Sequence, residues 1–491
     1  MSTIRSAATA VRGIARPRAW LLLAALLPAT LAARTPPPAA GDAATAVVGV
    51  HLSDLTPQHW LAQLPEPDRL VLDRAQIQAQ NARMRATDPS IHDIAALPDP
   101  LPRALVREKI EALSSMPTRT LYDVQGKPVA TRELEALRKA LALEAIPATR
   151  PLAFGLVVHR AALRAFPTPL RVFSTPGDTD IDRFQESALF PGDAVAVLHE
   201  SRDRQWLFVA SERYAAWIEA RHVATGARGD VLGYAQRAPF LVVTGATVRT
   251  TYTPEEPRVS ALQLDMGVRV PLRTDWPPQR QVNGQHPYAS HVVDLPVRDA
   301  GGRLQFAPAL IPRVADVGDD YLPMTRANIV SQAFKFLGER YGWGHSYDAR
   351  DCSGFVSEIY RSFGVLVPRN TRDQAVSPAL DRIAFAPGDS REARMAAVRE
   401  LQAGDLVYIP GHVMLALGHQ RGLAFMIHDT SGGSWRGEDG TRVRAGLNGV
   451  AVTPLEPMLF GDDETYVDRM TSIQRMRPRA PGAHQDGTAT P

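Results

Sequence analysis

Residues 351–355, Asp351-Cys352-Ser353-Gly354-Phe355, open a helix and carry the only cysteine of the chain. Phe355, Val356, Ile359, Tyr360 and Phe363 fall on one face at helical spacing, and Gly364 is placed to end the helix. Asp351 suits the N-cap, where a short carboxylate accepts from backbone N–H groups that have no partner inside the helix. Cys352 then stands at the positive end of the helix dipole, which favours a thiolate and predicts a lowered pKa. The same N–H groups can receive an oxyanion.

A thiolate that attacks an amide also needs a proton donor for the departing amine, and histidine is the usual choice. Downstream, Gly404 to Tyr408 reads as a strand, and Gly411 to Gly418 as a second that opens with His412. A turn from Gly418 to Gly422 leads into a third strand, Leu423 to Ile427, which ends at His428. In an antiparallel pair the start of one strand lies beside the end of the next, so His412 and His428 are expected to be neighbours. Nucleophile, base and orienting residue are the parts of a catalytic triad. A lone cysteine is more often buried and inert, and a strand histidine is more often a core or edge residue. The joint pattern is what points to chemistry. One cysteine and two histidines lack the spacing of a zinc site and no HExxH occurs, so neither metal nor cofactor is expected.

Working outward, 491 residues with 45% apolar and 22% charged content suggest three or four globular domains. Residues 1–33 read as a secretory signal: Arg5, Arg12, Arg16 and Arg18, then the apolar run Trp20 to Leu27, then small residues to Ala33. The apolar run is short for a membrane span, which needs about 20 residues, although a retained anchor is the alternative. Arg34 stands where a lipoprotein signal has its cysteine, so the chain is expected to be exported to the periplasm or cell envelope without a lipid. Removing the four arginines of the signal takes the formal charge from +3 to about −1, and no basic run argues for nucleic acid.

A Pro/Ala-rich linker (34–48) precedes a helical, loop-rich region (49–151). There Val106, Ile110 and Leu113, and Leu134, Leu137 and Leu141, keep helical spacing, with Thr131 as an N-cap. Short strands such as Ala194–Leu198 and Trp206–Val209 fill 152–226. Others, such as Phe240–Val243, Val268–Val270 and His291–Val293, fill 227–319, and both regions read as small barrels. Residues 320–476 have an α+β texture, and 477–491 form a polar tail expected to be disordered.

The stretches Tyr341-Gly342-Trp343-Gly344, Asp351-Cys352-Ser353-Gly354, Val367-Pro368-Arg369-Asn370-Thr371, Gly411-His412-Val413 and Ile427-His428 resemble, in order and interval, the NlpC/P60 family of cell-wall peptidases. Arg171-Val172-Phe173, Asp182-Arg183-Phe184-Gln185, Gly192-Asp193 and Trp217-Ile218 resemble the first bacterial SH3 domain of that family's multi-domain branch. The resemblance implies a helical stabilising segment, two small SH3-like β-barrels and a papain-like α+β catalytic domain.

It further implies a monomeric cysteine endopeptidase that cuts the γ-D-glutamyl–diaminopimelate bond of stem peptides with a free N-terminal L-alanine. In that reading Cys352 attacks, His412 is base and acid, and His428 orients it. The Cys352 N–H and the Tyr341 hydroxyl stabilise the oxyanion. Asp351 holds the substrate ammonium, unless it only caps the helix. Ser353, Tyr341 and Thr371 line the same end of the cleft. Tyr214 reaches in from the SH3 domain, and Glu186 is a further acidic candidate. His345 and Asn370 depart from the family pattern, the first able to narrow the cleft or add a titratable group, the second removing a carboxylate. An acyl or amide transferase of the same fold, and a non-catalytic wall-binding scaffold, are the competing readings.

Overall fold

A computed structural model describes residues 43–478; the expected signal segment, most of the linker and the tail beyond Pro478 lie outside the described residues. The N-terminal part forms α1 (Arg74–Thr87), α2 (Arg103–Leu113) and α3 (Thr131–Ala140). Thr131 is the first helical residue of α3 rather than its N-cap. Ala130 holds the cap position, and the Glu133 carboxylate, three residues on, accepts the Ala130 N–H. These helices have no core of their own, because a short amphipathic helix must bury its stripe against another element. Trp60, Leu72, Ile77 and Met84 pack with Phe355, Leu415 and Phe425 of the C-terminal part. Val106, Ile110, Leu137 and Ile146 pack instead with Phe154, Phe208 and Trp217.

The first β-rich unit comprises β1 (Ala153–Val157), β2 (Ala161–Arg164), β3 (Gln185–Leu189), β4 (Ala194–Glu200), β5 (Trp206–Ala210), β6 (Ala215–Glu219) and β7 (Val223–Gly226). They form one antiparallel sheet in the order β7-β1-β4-β5-β6-β2-β3. The second unit comprises β8 (Phe240–Val243), β9 (Thr247–Arg249), β10 (Gln263–Asp265), β11 (Arg269–Pro271) and the long hairpin β12 (Ser290–Arg298) to β13 (Leu304–Pro312). It closes on a separate core of Leu241, Val243, Leu264, Val270, Leu295 and Ile311.

The C-terminal part has α4 (Arg326–Phe334), α5 (Cys352–Arg361), α6 (Thr371–Val376), β14 (Asp381–Ala384), α7 (Arg391–Arg399), β15 (Leu406–Ile409), β16 (His412–Gln420), β17 (Leu423–Thr430), β18 (Gly449–Pro454) and β19 (Ser472–Arg475). Its antiparallel sheet has the order β14-β19-β15-β16-β17-β18. The apolar stripe of α5 lies on β16 and β17. Phe355, Val356, Ile359, Tyr360 and Phe363 are fully buried there, each stabilising by about 1.5–3 kcal/mol relative to exposure. Gly364 follows at φ +77°, the left-handed conformation that ends a helix cheaply only with glycine.

The β16–β17 turn is shorter than expected. It is Arg421-Gly422, both at positive φ, the two-residue geometry that matches strand twist. Gly418 lies within β16, next to a register shift against β17.

Trp60 is the largest side chain that the N-terminal segment buries in this core. Its ring centroid is 5.3 Å from that of Phe425, and its indole N–H donates to the Asp54 carbonyl at 2.8 Å. Trp60→Ala is expected to lower unfolding free energy by about 3–5 kcal/mol, read as a shifted midpoint in urea with an unchanged slope.

Candidate active site

The start of α5 is organised by a buried ion pair. Asp351 caps the helix, its Oδ1 accepting from the Gly354 N–H at 2.8 Å, and Oδ2 accepts from the Gly344 N–H at 3.0 Å. Arg369 donates to both oxygens, at 3.2 and 2.8 Å, and to the Ser353 hydroxyl at 2.8 Å, which itself donates to Asp351. Burial alone would raise the Asp351 pKa, but Arg369 brings it down to about 2. The carboxylate is ionised and its lone pairs are filled from inside the protein. Asp351 and Ser353, expected to bind substrate, are therefore committed to Arg369, because a buried guanidinium requires a counter-charge and filled donors.

Cys352 is buried, with Sγ 3.6 Å from the Thr371 hydroxyl and hydrogen-bonded to the Val413 amide. Val413 follows His412, so the sulfur lies at the start of β16. The thiol's hydrogen bonds go to these two groups rather than to the imidazole. Burial, and then the charge of Asp351, push the thiol up to about 12 against the pull of Thr371 and Val413. Desolvation therefore outweighs the helix end, and the expected lowering of the thiol pKa is corrected to a rise.

His412 Nε2 lies 2.7 Å from His428 Nδ1, and His428 Nε2 lies 2.9 Å from the Thr453 hydroxyl. Burial lowers His412 to about 4 and holds His428 well below the usual histidine range. At neutral pH the cysteine and both rings are uncharged.

β3 of the first β-rich unit forms a wall against the loop that precedes the Cys352 helix. The Trp343 indole donates to the Gln185 carbonyl at 3.0 Å, and the Gln185 amide donates to the Gly344 carbonyl at 2.7 Å. A Cβ on Gly344 would stand 2.9 Å from the Gln185 side chain, so this approach needs glycine. Arg369 also donates to the Ser187 hydroxyl at 2.6 Å. The following loop carries His345, Tyr347 and Asp348 at positive φ. Such strain persists only where contacts hold it, here Arg160 on the His345 carbonyl at 2.9 Å and Arg171 on the Tyr347 hydroxyl at 2.5 Å.

Beside this wall the Tyr214 hydroxyl donates to Glu186 Oε2 at 2.5 Å, and burial raises the pKa of both. The Tyr341 hydroxyl makes no hydrogen bond among the described residues, and burial, then the nearby Cys352, push its pKa up. His345 adds no charge at neutral pH. Its Nδ1 accepts from Arg369 at 3.0 Å, which places the proton on Nε2, 3.1 Å from Glu358. The ring packs over Gly354, where a Cβ would stand 2.6 Å from it. Asn370 donates to the Asp373 carboxylate at 3.0 Å, so a carboxylate stands one helical turn beyond the position that lacks one.

Two stretches match family models. Residues 338–437 match the NlpC/P60 family, and residues 171–219 match the SH3 domain of the SH3b1 type. Residues 338–437 thus form an NlpC/P60 domain within a longer chain. The chain is 28% identical over 208 residues to a probable endopeptidase of Corynebacterium glutamicum, covering 41% of this chain and 79% of that protein. Over 110 residues it is 30% identical to dipeptidyl-peptidase 6 of Lysinibacillus sphaericus, covering 22% of this chain and 34% of that protein. Its fold is similar to that of an NlpC/P60 endopeptidase from Photobacterium damselae subsp. piscicida, with TM-score 0.68 at 18% identity, covering 86% of this chain and 97% of that one. The SH3 match falls within the first β-rich unit.

The motif residues of this NlpC/P60 domain leave one group unaccounted for. Asp429 follows His428 on β17, is fully buried, and has neither carboxylate oxygen hydrogen-bonded. Nothing in its local sequence separates it from an ordinary strand-end aspartate. Burial, then Asp351 and Glu339, push it up to about 9, so it is neutral at pH 7. An unfolded aspartate gives up its proton near pH 4. The folded chain retains a proton that the unfolded chain releases, so this group costs stability increasingly as pH rises from about 4 toward 9. Asp429→Asn is expected to melt above the wild type at pH 8, with the gap closing by about pH 4, as read by calorimetry across that range.

Proposed function

We propose that this protein is an exported cysteine endopeptidase that cleaves the γ-D-glutamyl–diaminopimelate bond of cell-wall stem peptides carrying a free N-terminal L-alanine. The observation that carries the reading is β3 seated on the loop before the Cys352 helix, with the Glu186–Tyr214 pair beside it, an arrangement that would close one end of the proposed cleft. A closed end suits a substrate that terminates there. A half-buried carboxylate with one oxygen on Tyr214 supplies the acceptor an ammonium group needs, which makes Glu186 the ammonium partner in place of Asp351. A peptide without that ammonium leaves the carboxylate desolvated and unpaired, which is how specificity arises.

The chemistry starts from the uncharged pair. The His412 Nε2 contact to His428 leaves Nδ1 to take the thiol proton as sulfur attacks the amide carbon. Nε2–H then donates to His428 Nδ1, and His428 Nε2–H donates to Thr453, which fixes both tautomers. The Cys352 N–H at the helix start and the unpartnered Tyr341 hydroxyl receive the oxyanion. His412 returns the proton to the leaving amine, and water activated by the same ring hydrolyses the thioester. Thr371, on the sulfur, keeps the thiol oriented toward the cleft.

The test is turnover of L-Ala-γ-D-Glu-diaminopimelate, followed by separation of the products. Free diaminopimelate and L-Ala-γ-D-Glu are expected, with activity below about one thousandth of wild type in Cys352→Ala and His412→Ala. N-acetylation of the alanine is expected to lower kcat/KM about a hundredfold or more, and Glu186→Gln to lower the preference for the free amine. Undiminished turnover by Cys352→Ala, or equal cleavage of the acetylated peptide, would contradict the proposal.

A further inference from the structure

The second β-rich unit supplies none of the candidate site residues, yet one of its side chains reaches the residue before the helix cap. Arg350 is fully buried, and all five of its guanidinium hydrogens are used. Nη1 donates to both oxygens of Glu339, at 2.6 and 2.8 Å, and Nε donates to Glu358 at 2.7 Å. Nη2 donates to Asp265 at 2.9 Å and to the Ala246 carbonyl at 2.9 Å. The Arg350 carbonyl accepts from the Gly342 N–H at 2.6 Å, so its backbone runs bridged to Tyr341. One residue thus ties the Tyr341 segment to α5, through Glu358, and both to β10, through Asp265. Arg160, from the β1–β2 turn, lies 3.3 Å from the other oxygen of Asp265 and donates to the Ala349 carbonyl at 2.6 Å.

We infer that Asp265 is a positioning residue: by fixing the Arg350 fork it holds Tyr341 and Cys352 in register, so the second β-rich unit sets the geometry of the reaction without touching substrate. This rests on the peptidase reading above. Hydrogen bonds in a rigid fork are directional, and removing one acceptor lets the fork tilt toward the remaining carboxylates. Because Arg350 pairs along its backbone with Tyr341 and stands two residues before Cys352, a tilt changes the separation of the oxyanion donor from the nucleophile. Small misplacements of that kind lower kcat more than they raise KM.

The charges of the cluster indicate a variant that folds. Asp265, Glu339 and Glu358 share the guanidinium groups of Arg350 and Arg160, Glu358 also meets the neutral His345 ring at 3.1 Å, Arg160 also reaches Asp348 at 3.3 Å, and the protonated Asp429 lies nearby, so the carboxylates outnumber the cations. Burial, then Glu358, push Asp265 up to about 6 against Arg160, Arg350 and the amide of Gln263. An unfolded aspartate titrates near 4, so protonating Asp265 between about pH 6 and 4 favours the folded chain while it removes a charged acceptor from Arg350. Stability and kcat are then expected to move in opposite directions through that window.

The experiment compares full-length wild type, Asp265→Asn and Asp265→Glu on L-Ala-γ-D-Glu-diaminopimelate, with carbamidomethylation of Cys352 by iodoacetamide as a readout independent of turnover. Asp265→Asn is expected to melt at or above the wild-type temperature, lose about tenfold in kcat with KM within about twofold, and alkylate about threefold faster or more as the Tyr341 segment loosens. Asp265→Glu is expected to recover part of the kcat. A folded Asp265→Asn variant with unchanged kcat and alkylation overturns the inference. Should Asp265→Asn not fold, the wild-type profile decides: a kcat that falls between pH 7 and 5 with KM and circular dichroism constant supports it, and a flat kcat overturns it. If the wild type cleaves no stem peptide, the peptidase reading is what fails. Alkylation alone then judges the positioning role, an unchanged rate in Asp265→Asn overturning it.

Discussion

The buried pair between Arg369 and Asp351 is the constraint on which the site depends. Asp351 must be ionised to cap α5, and Arg369 keeps it so in a place where burial alone would protonate it. The same guanidinium reaches Ser187 on the first β-rich unit and the His345 ring in the strained loop. The cap that places Cys352 is therefore also the joint that seats β3 beside it. A change at either end of the pair leaves a buried charge uncompensated, which costs far more than the pair itself contributes.

That architecture has a chemical consequence. A site dry enough to make Arg369 and Asp351 cling together also penalises a free thiolate and a free imidazolium. Cys352 rests as a thiol and His412 as a neutral ring. An uncharged thiol is a poor target for oxidants, which protects the lone cysteine at rest.

The Cys352 helix and the histidine hairpin were legible because their signals are local. The apolar stripe of α5, the Asp351 cap and the paired strand ends at His412 and His428 are read within a few residues of one another. Gly418 misled because a glycine in a strand and a glycine in a turn look alike until the register is known, and the actual turn, Arg421-Gly422, lies three residues on. What stayed hidden depends on distance or burial. Asp265 and Arg350 are 85 residues apart, and only folding brings them to 2.9 Å. Asp351 and Ser353 read as open to substrate because nothing in their neighbourhood shows that Arg369 fills them. Desolvation reversed the expected direction of the Cys352 pKa, since no local pattern reports how dry a helix start will be. The helical spacing of region 49–151 did not reveal that its apolar faces are divided between two other cores.

The central claim is that one sulfur, assisted by one imidazole, forms the covalent intermediate. The most direct measurement is the intact mass and peptide map of the full-length protein after exposure to an L-Ala-γ-D-glutamyl acyloxymethyl ketone, an electrophile that reacts only when a positioned thiol attacks it. A single adduct on Cys352, formed rapidly in the wild type and lost in His412→Ala while that variant remains folded, is the predicted result. An adduct at another residue, or equal labelling of Cys352 with and without the imidazole, would contradict the account.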